Sequence, residues 1–365
     1  MTARIVLFGA TGFTGELTAR AFVARGARPL LVGRDRARVL ELATRLGTDG
    51  AVADAMTPNA VAALAALLHR GDVLVSTVGP FVRWGEPAVR AAIEAGAHYL
   101  DSTGEPPFIR SVFEHHGAGA AAVGCGLLTA MGYDYVPGNL AGALALREAG
   151  ARAVRVDVGY FVAGDPSGQF SGGSRASAAG MLAEPAYAFR NGRVVTERGA
   201  RHVRRIDGRP VISIGASEQY ALPRLHPELR EIGVWLGWFG PASRALQVLS
   251  GATALATKVP GVARALTSTA ERFVAGSTGG PDAATRAKAR SQVVAIASDG
   301  AGAQLATVRL EGASPYDFTA GMLAWSAIRV ARDGVGGSGA LGPVEAFGLD
   351  ELERGVADAG IARSA

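Results

Sequence analysis

Short apolar runs recur along the first hundred residues, each ending at a glycine or a polar cluster. Ile5-Val-Leu-Phe8, Leu30-Leu-Val-Gly33, Ala51-Val-Ala-Asp54, Asp72-Val-Leu-Val-Ser76 and His98-Tyr-Leu-Asp101 are such runs. Strands this apolar, without alternation, belong to a parallel sheet covered by helices on both faces. Helix-compatible segments stand between them, Glu16 to Arg25 and Ala88 to Ala95 among them. The rhythm predicts a doubly wound α/β sheet.

From about residue 152 the pattern changes to alternation. Ala153 to Phe161, Val211 to Ile214 and Val293 to Ser298 read as strands half-buried on a sheet, and Gln304 to Glu311 pairs with the last around Asp299-Gly300. Ser174 to Phe189 reads as a helix opened by a serine cap. Two later helices, Ala320 to Arg332 and Leu349 to Ala359, are expected to return to the first domain. The fold expectation is α/β: an N-terminal Rossmann doubly wound parallel sheet plus an α+β second domain with a largely antiparallel sheet. Residues 1–135 form the first domain, with 316–365 packing back on it, and 136–315 the second, which serves substrate binding and dimerisation. A length of 365 residues suits two domains.

Ile232 to Thr257 stands apart, with Trp235, Trp238, Phe239 and a single charge, Arg244. It is long enough to raise a membrane span, which needs about 20 apolar residues. Pro241, the glycines and Arg244 argue against a span. Two readings stay open: a buried helical pair, or an apolar lid over a greasy substrate that touches a membrane surface from its periphery.

The chemistry begins at the end of the first strand. Gly9-Ala10-Thr11-Gly12-Phe13-Thr14-Gly15 places glycines three residues apart between a strand and a helix N-terminus. Such a turn holds a dinucleotide pyrophosphate: it needs positive φ, close approach of backbone to phosphate, and tight packing of helix on strand. The end of the second strand refines the ligand. A carboxylate there, about 20 residues past the glycines, would bind a ribose 2′-hydroxyl. This chain has Gly33 followed by Arg34 and Arg36. A small residue leaves room for a 2′-phosphate and a guanidinium binds its oxygens, so NADP(H) is the expected cofactor. Asp35 complicates this, because it could still serve a hydroxyl. Asp54 is placed to meet the adenine edge. Residues 76–81 (with Thr77, Val78, Gly79 and Pro80) and 101–105 (with Ser102 and Gly104) are expected around the nicotinamide half.

Composition excludes more than it adds. The net charge of +5 is small for the length, and Lys258 and Lys288 are the only lysines. The arginines around Arg198-Gly-Ala-Arg-His-Val-Arg-Arg205 lack interleaved aromatics, so they read as a solvated hairpin face and not a nucleic-acid surface. A docking patch for an acidic carrier protein is the alternative. Cys125 is the single cysteine, which excludes an internal disulfide, and no signal peptide opens the chain; a cytoplasmic setting is expected. Cys125 sits among small apolar residues and reads as a buried hydrophobe. No metal-ligand spacing is present, and His115-His116 are adjacent and project differently. A G-x-S-x-G elbow and a Tyr-x-x-x-Lys pair are also absent. Proton donors are then sought near the crevice: Tyr133 and Asp134 first, with Tyr135, Tyr160 and Ser174 behind them. The bland alternative is that Asp134 caps a helix beginning near Pro137 and the tyrosines only pack.

Gly9-Ala-Thr-Gly-Phe-Thr-Gly15, Val78-Gly-Pro-Phe81 and Ala95-Gly-Ala-His-Tyr-Leu-Asp-Ser-Thr-Gly-Glu105 resemble the NADP-binding half of the saccharopine dehydrogenase-like oxidoreductases. So do Gly132-Tyr-Asp-Tyr-Val-Pro137, Ser171-Gly-Gly-Ser174 and the tail from Tyr316 to Gly348. Within that family the sequence is most similar to the branch of trans-acting enoyl reductases of lipid and polyketide synthesis. The resemblance implies an NADP-binding domain and an α+β domain whose sheet often mediates dimer contacts. The family segment Cys-Gly-Phe-Asp-Ser-Ile-Pro-Ser-Asp is here Met131-Gly-Tyr-Asp-Tyr-Val-Pro-Gly-Asn139, which removes any role for that cysteine or last acid. Two function classes stay open: an NADPH-dependent reductase of an enoyl or imine bond in a hydrophobic, acyl-linked substrate, or a non-catalytic NADP-binding sensor or scaffold.

Overall fold

The computed structural model describes residues 3–163, 185–256 and 279–364. The chain divides into two units: Met1–Gly104, Phe108–Val136 and Pro315–Ile361 form one, and Glu105–Pro107, Pro137–Ser314 and Ala362–Ala365 the other.

In the first unit the apolar runs are strands: β1 (Ile5–Phe8), β2 (Leu30–Gly33), β3 (Gly50–Val52), β4 (Val73–Ser76), β5 (His98–Asp101) and β6 (Gly126–Leu128). With a two-residue strand at Gly339–Ala340 they form a parallel sheet in the order Gly339–Ala340, β6, β5, β4, β1, β2, β3. Val6, Leu7, Val73, Leu74, Val75, Tyr99 and Leu100 are sealed from solvent, as the absence of alternation requires. Helices α1 (Phe13–Ala24) and α2 (Arg36–Leu46) follow β1 and β2. The long helix Pro315–Asp333 lies on α1 and buries Phe318, Met322 and Leu323. Strand order reverses beside β1, which has β2 on one side and β4 on the other. A crevice at the carboxyl ends follows from that reversal.

The second unit is built on β7 (Arg155–Ala163), β8 (Pro185–Arg190), β9 (Arg193–Arg198), β10 (Val203–Ile206), β11 (Arg209–Ser213), β12 (Glu231–Leu236), β13 (Arg290–Ser298) and β14 (Gln304–Gly312). The sheet runs β10, β11, β12, β7, β13, β14, with Ile361–Arg363 at its end and the β8–β9 hairpin joined to β12. Pairs β10–β11, β11–β12, β7–β13 and β13–β14 are antiparallel, and β12–β7 is parallel. The expected hairpin is present, in register Val293↔Leu310, and the Asp299 carboxylate accepts the Ala301 and Ala303 amides in its loop.

Three expectations change. Pro185–Arg190 is a strand, not the end of a helix begun at Ser174; residues 174–184 lie outside the described residues. It pairs with β9 across Asn191-Gly192, both at positive φ, the geometry of a tight hairpin turn. The segment 232–257 is not a helical pair. Its first part belongs to β12, bonded on both sides, and a short 3-10 turn at Gly240–Ala242 leads into one α-helix, Ser243–Ala256. The five residues after Glu231 suffice for a buried strand, and composition alone does not separate that from helix. No described helix is long and apolar enough to cross a membrane.

The third change concerns the arginine cluster, which runs from the end of β9 through Arg201 into β10 and so spans two hairpins, with Arg204 turned to a buried partner. Arg204 donates to the buried Asp157 carboxylate at 2.8 Å and lies over the Trp235 ring. Arg155 and the Trp235 indole also donate to Asp157. Burial alone would push the Asp157 carboxyl up, but the Arg155 hydrogen bonds and the Arg155 and Arg204 charges hold it below the usual carboxylate range. Phe161, Ile206, Val211, Trp235 and Val294 form the apolar cluster around this polar knot.

Candidate dinucleotide site

The glycine turn leaves β1 and folds over the end of β2. Gly9 and Ala10 donate to the Val32 carbonyl at 2.9 and 3.1 Å, and Gly9 stands at φ 86°, where a side chain is strained. A Cβ on Gly9 would lie 2.8 Å from both Thr77 Oγ1 and Val78 Cγ2; one on Gly15 would lie 2.1 Å from the Gly9 carbonyl oxygen. These two glycines therefore permit the packing. Gly12 differs, because a Cβ there meets only the Gly9 oxygen at 3.3 Å. Gly12 is the N-cap of α1 and supplies no side-chain cap, so the amide end of this helix is left for an anion. The residues present fit a dinucleotide pyrophosphate on this cradle: Gly12, Phe13 and Thr14 would face the phosphates.

The turn is laced to its neighbours. Thr77 Oγ1 donates toward the Phe8 and Gly9 carbonyls, both at 3.2 Å, and the Phe13 ring meets Tyr316 edge-on at 5.1 Å. At the end of β2, Gly33 is buried, with Thr11 Oγ1 3.3 Å from where its Cβ would be, and Arg34 is exposed. Asp35 is engaged as the N-cap of α2, its carboxylate accepting the Arg38 amide at 3.1 Å. The Arg38 guanidinium turns back and donates to the Thr11 carbonyl at 2.9 Å, so a second arginine borders the place of a 2′-phosphate. Sequence reading missed Arg38; the signal was its position three residues after a helix-capping aspartate. Asp54 Oδ1 accepts the Met56 amide in its own loop, at the carboxyl end of β3.

Around the other half of the crevice stand the loops after β4, β5 and β6. Thr77, Val78 and Pro80 are half-buried and Gly79 exposed, with a cis bond at Gly79-Pro80. Ser102 and Gly104 are half-buried in the next loop. Tyr133 is sealed at 2 % exposure, its amide donating to Thr319 Oγ1 and its ring edge-on to Phe318. The Tyr135 hydroxyl donates to the Gly104 carbonyl at 3.3 Å. Asp134 keeps partial exposure, yet its Oδ1 is buried and makes no hydrogen bond, and a Cβ on Gly104 would be 3.3 Å from its Oδ2. Burial pushes the Asp134 carboxyl up to about 7, which leaves a substantial share protonated at neutral pH. Tyr133 is packed into the core, whereas Asp134 carries a buried Oδ1 without a hydrogen bond and lies beside Gly104. Tyr160, in the second unit, is buried with its hydroxyl donating to Glu218 at 2.6 Å; Ser174 lies outside the described residues. Burial pushes the Cys125 thiol up to about 11, consistent with a buried hydrophobe.

Fold and turn together define a dinucleotide-binding Rossmann domain joined to a second, sheet-based unit. Residues 5–121 match the family model described as the saccharopine dehydrogenase NADP binding domain, which supports NADP(H) as the cofactor. Over 143 residues, 37 % of this chain, the sequence is 41 % identical to a trans-acting enoyl reductase of Mycobacterium leprae and 40 % identical to one of Mycobacterium tuberculosis. The aligned stretch spans about a third (34 %) of the length of each of these relatives. Across the whole of both chains the fold is similar to that of saccharopine dehydrogenase (L-Glu forming) from Saccharomyces cerevisiae, at TM-score 0.59 and 14 % identity.

Proposed function

We propose that this chain is an NADP(H)-dependent oxidoreductase that reduces the C=C bond of a hydrophobic, acyl-linked substrate. The observation that carries the reading is the glycine cradle, with its uncapped helix end and the arginines Arg34 and Arg38 at its rim. When bound, NADPH would supply the hydride. Gly12, Phe13 and Thr14 would hold the pyrophosphate, Arg34 and Arg38 the 2′-phosphate, Asp54 the adenosine end, and Thr77 to Pro80 with Ser102 and Gly104 would line the nicotinamide end. Asp134 is the proton donor: after hydride addition at the β-carbon, its acid form returns a proton to the α-carbon, which balances the reduction. The enoyl choice draws on the names of the Mycobacterium relatives. Homodimer formation, peripheral membrane contact and a cytoplasmic setting belong to the same proposal.

A second reading, a non-turnover NADP-binding sensor or scaffold, draws on the seclusion of the candidate donors Tyr133, Tyr135 and Tyr160. Incubating the protein with NADPH and a panel of enoyl thioesters and cyclic imines separates the two. Oxidation above background that Asp134→Asn abolishes supports the reductase. Tight NADPH binding without oxidation of any panel member supports the sensor.

A further inference from the structure

The carboxylate of Asp101, at the end of β5, is fully buried and takes no part in the proposed chemistry. Its partners come from two different loops. Oδ1 accepts the Thr103 amide at 2.9 Å from the loop after β5, and the Ala130 amide at 2.9 Å from the loop after β6. Oδ2 accepts the Thr129 hydroxyl at 2.8 Å, and the Asp101 backbone carbonyl accepts the Met131 amide at 2.7 Å. One residue therefore fastens both loops, and the second of them carries Asp134. Ala130 stands at φ 60° within this knot, a left-handed conformation that costs a residue with a side chain and that the hydrogen bonds sustain.

We propose that Asp101 is the positioning residue of the candidate site, clamping the loops after β5 and β6 so that Asp134 is held beside Gly104. The proposal rests on the reading of Asp134 as proton donor. Sequence chemistry explains why the residue is an acid with a short stem. Both loop amides need an acceptor at one point, the Thr129 hydroxyl needs a second site beside it, and a planar carboxylate offers both. The carboxamide of asparagine could do nearly the same, since the Thr129 hydroxyl can turn and accept instead of donating. A methyl group could not, and two buried amides would then lack an acceptor.

The test compares Asp101→Ala, Asp101→Asn and the milder Thr129→Val by amide hydrogen exchange, NADPH titration and turnover on the substrate found in the panel assay. The alanine variant should expose the Thr103 and Ala130 amides to exchange about tenfold faster or more. Its turnover should fall about a hundredfold while NADPH affinity falls much less, about tenfold at most, because the pyrophosphate cradle is on β1 and α1 and the loop after β5 brings only Ser102 and Gly104 to the nicotinamide end. The asparagine variant should restore protection and most of the turnover; Thr129→Val should fall between. Loop amides that stay protected in Asp101→Ala overturn the clamp. So does an NADPH affinity that falls in step with turnover, or an asparagine variant no better than alanine. If Asp101→Ala does not fold, Thr129→Val against Asp101→Asn decides on the same readouts. Failure of the Asp134 reading shows separately, as turnover that survives Asp134→Asn while the exchange data still decide whether Asp101 holds the loops.

Discussion

Asp134 is an acid kept from water on one oxygen, and the sign of its contribution to stability follows. Its pKa is raised in the folded state, so the fold binds more protons than the unfolded chain between the ordinary carboxylate range and about 7. Stability is then lost as pH rises through that window. Asp134→Asn should melt higher than the parent protein at about pH 8, by about 2–4 °C, and no higher near pH 4. Calorimetry at both values checks it; a variant equally shifted at both refutes the buried-acid account. Asp157 has the opposite sign. Burial opposes its ionisation, the arginine partners prevail, and its carboxyl is depressed, so its contribution is lost as pH falls through the low carboxylate range. Asp157→Ala should cost about 3 kcal/mol or more in denaturant titrations at neutral pH, since two half-buried guanidinium groups lose their partner. At the dinucleotide rim, Arg34→Ala and Arg38→Ala should each raise the NADPH Michaelis constant far more than that of NADH. Equal effects on both would remove the 2′-phosphate assignment.

Among elements, the strand–turn–helix at residues 5–24 was the most legible, because three demands coincide in one heptapeptide: positive φ, close backbone approach and tight packing. The structure distributes those demands unevenly, and this separates the glycines by experiment. Gly15→Ala places a methyl 2.1 Å from the Gly9 oxygen and should cost about 3 kcal/mol or more of stability. Gly12→Ala meets only one 3.3 Å contact, so it should fold nearly as well as the parent but bind NADPH about tenfold more weakly. Thermal melts and NADPH titration of the pair distinguish scaffold from ligand contact. Other elements were harder to read. Pro185–Arg190 and Glu231–Leu236 have compositions that suit helix or strand, and only their partners, β9 for one and β7 with β11 for the other, decide the matter. Arg204 looked like a surface charge because its partner, Asp157, is far away in sequence on β7.

At the scale of the whole molecule, a nucleotide that binds only the folded state stabilises it by mass action, about 2.7 kcal/mol at a hundredfold excess over Kd. NADPH should therefore raise the melting temperature, and NADH at equal concentration should raise it less; identical shifts would contradict an NADP(H) cradle. The sequence by itself determined the class of fold and pointed to a candidate cradle for the cofactor, because strand burial, turn conformation and the helix end are local properties written in consecutive residues. It also brought Asp134 forward as a candidate. Only the tertiary structure distinguishes the surroundings of Asp134 from those of Tyr133, since exposure, an unbonded oxygen and a raised pKa depend on what the fold brings near. The same holds for Arg38 over Thr11 and for Asp101 between two loops, where the partners are 27 to 29 residues away along the chain. Hydrogen bonds across such separations leave no periodic trace in a sequence, and they are what turns a glycine-rich turn into a site.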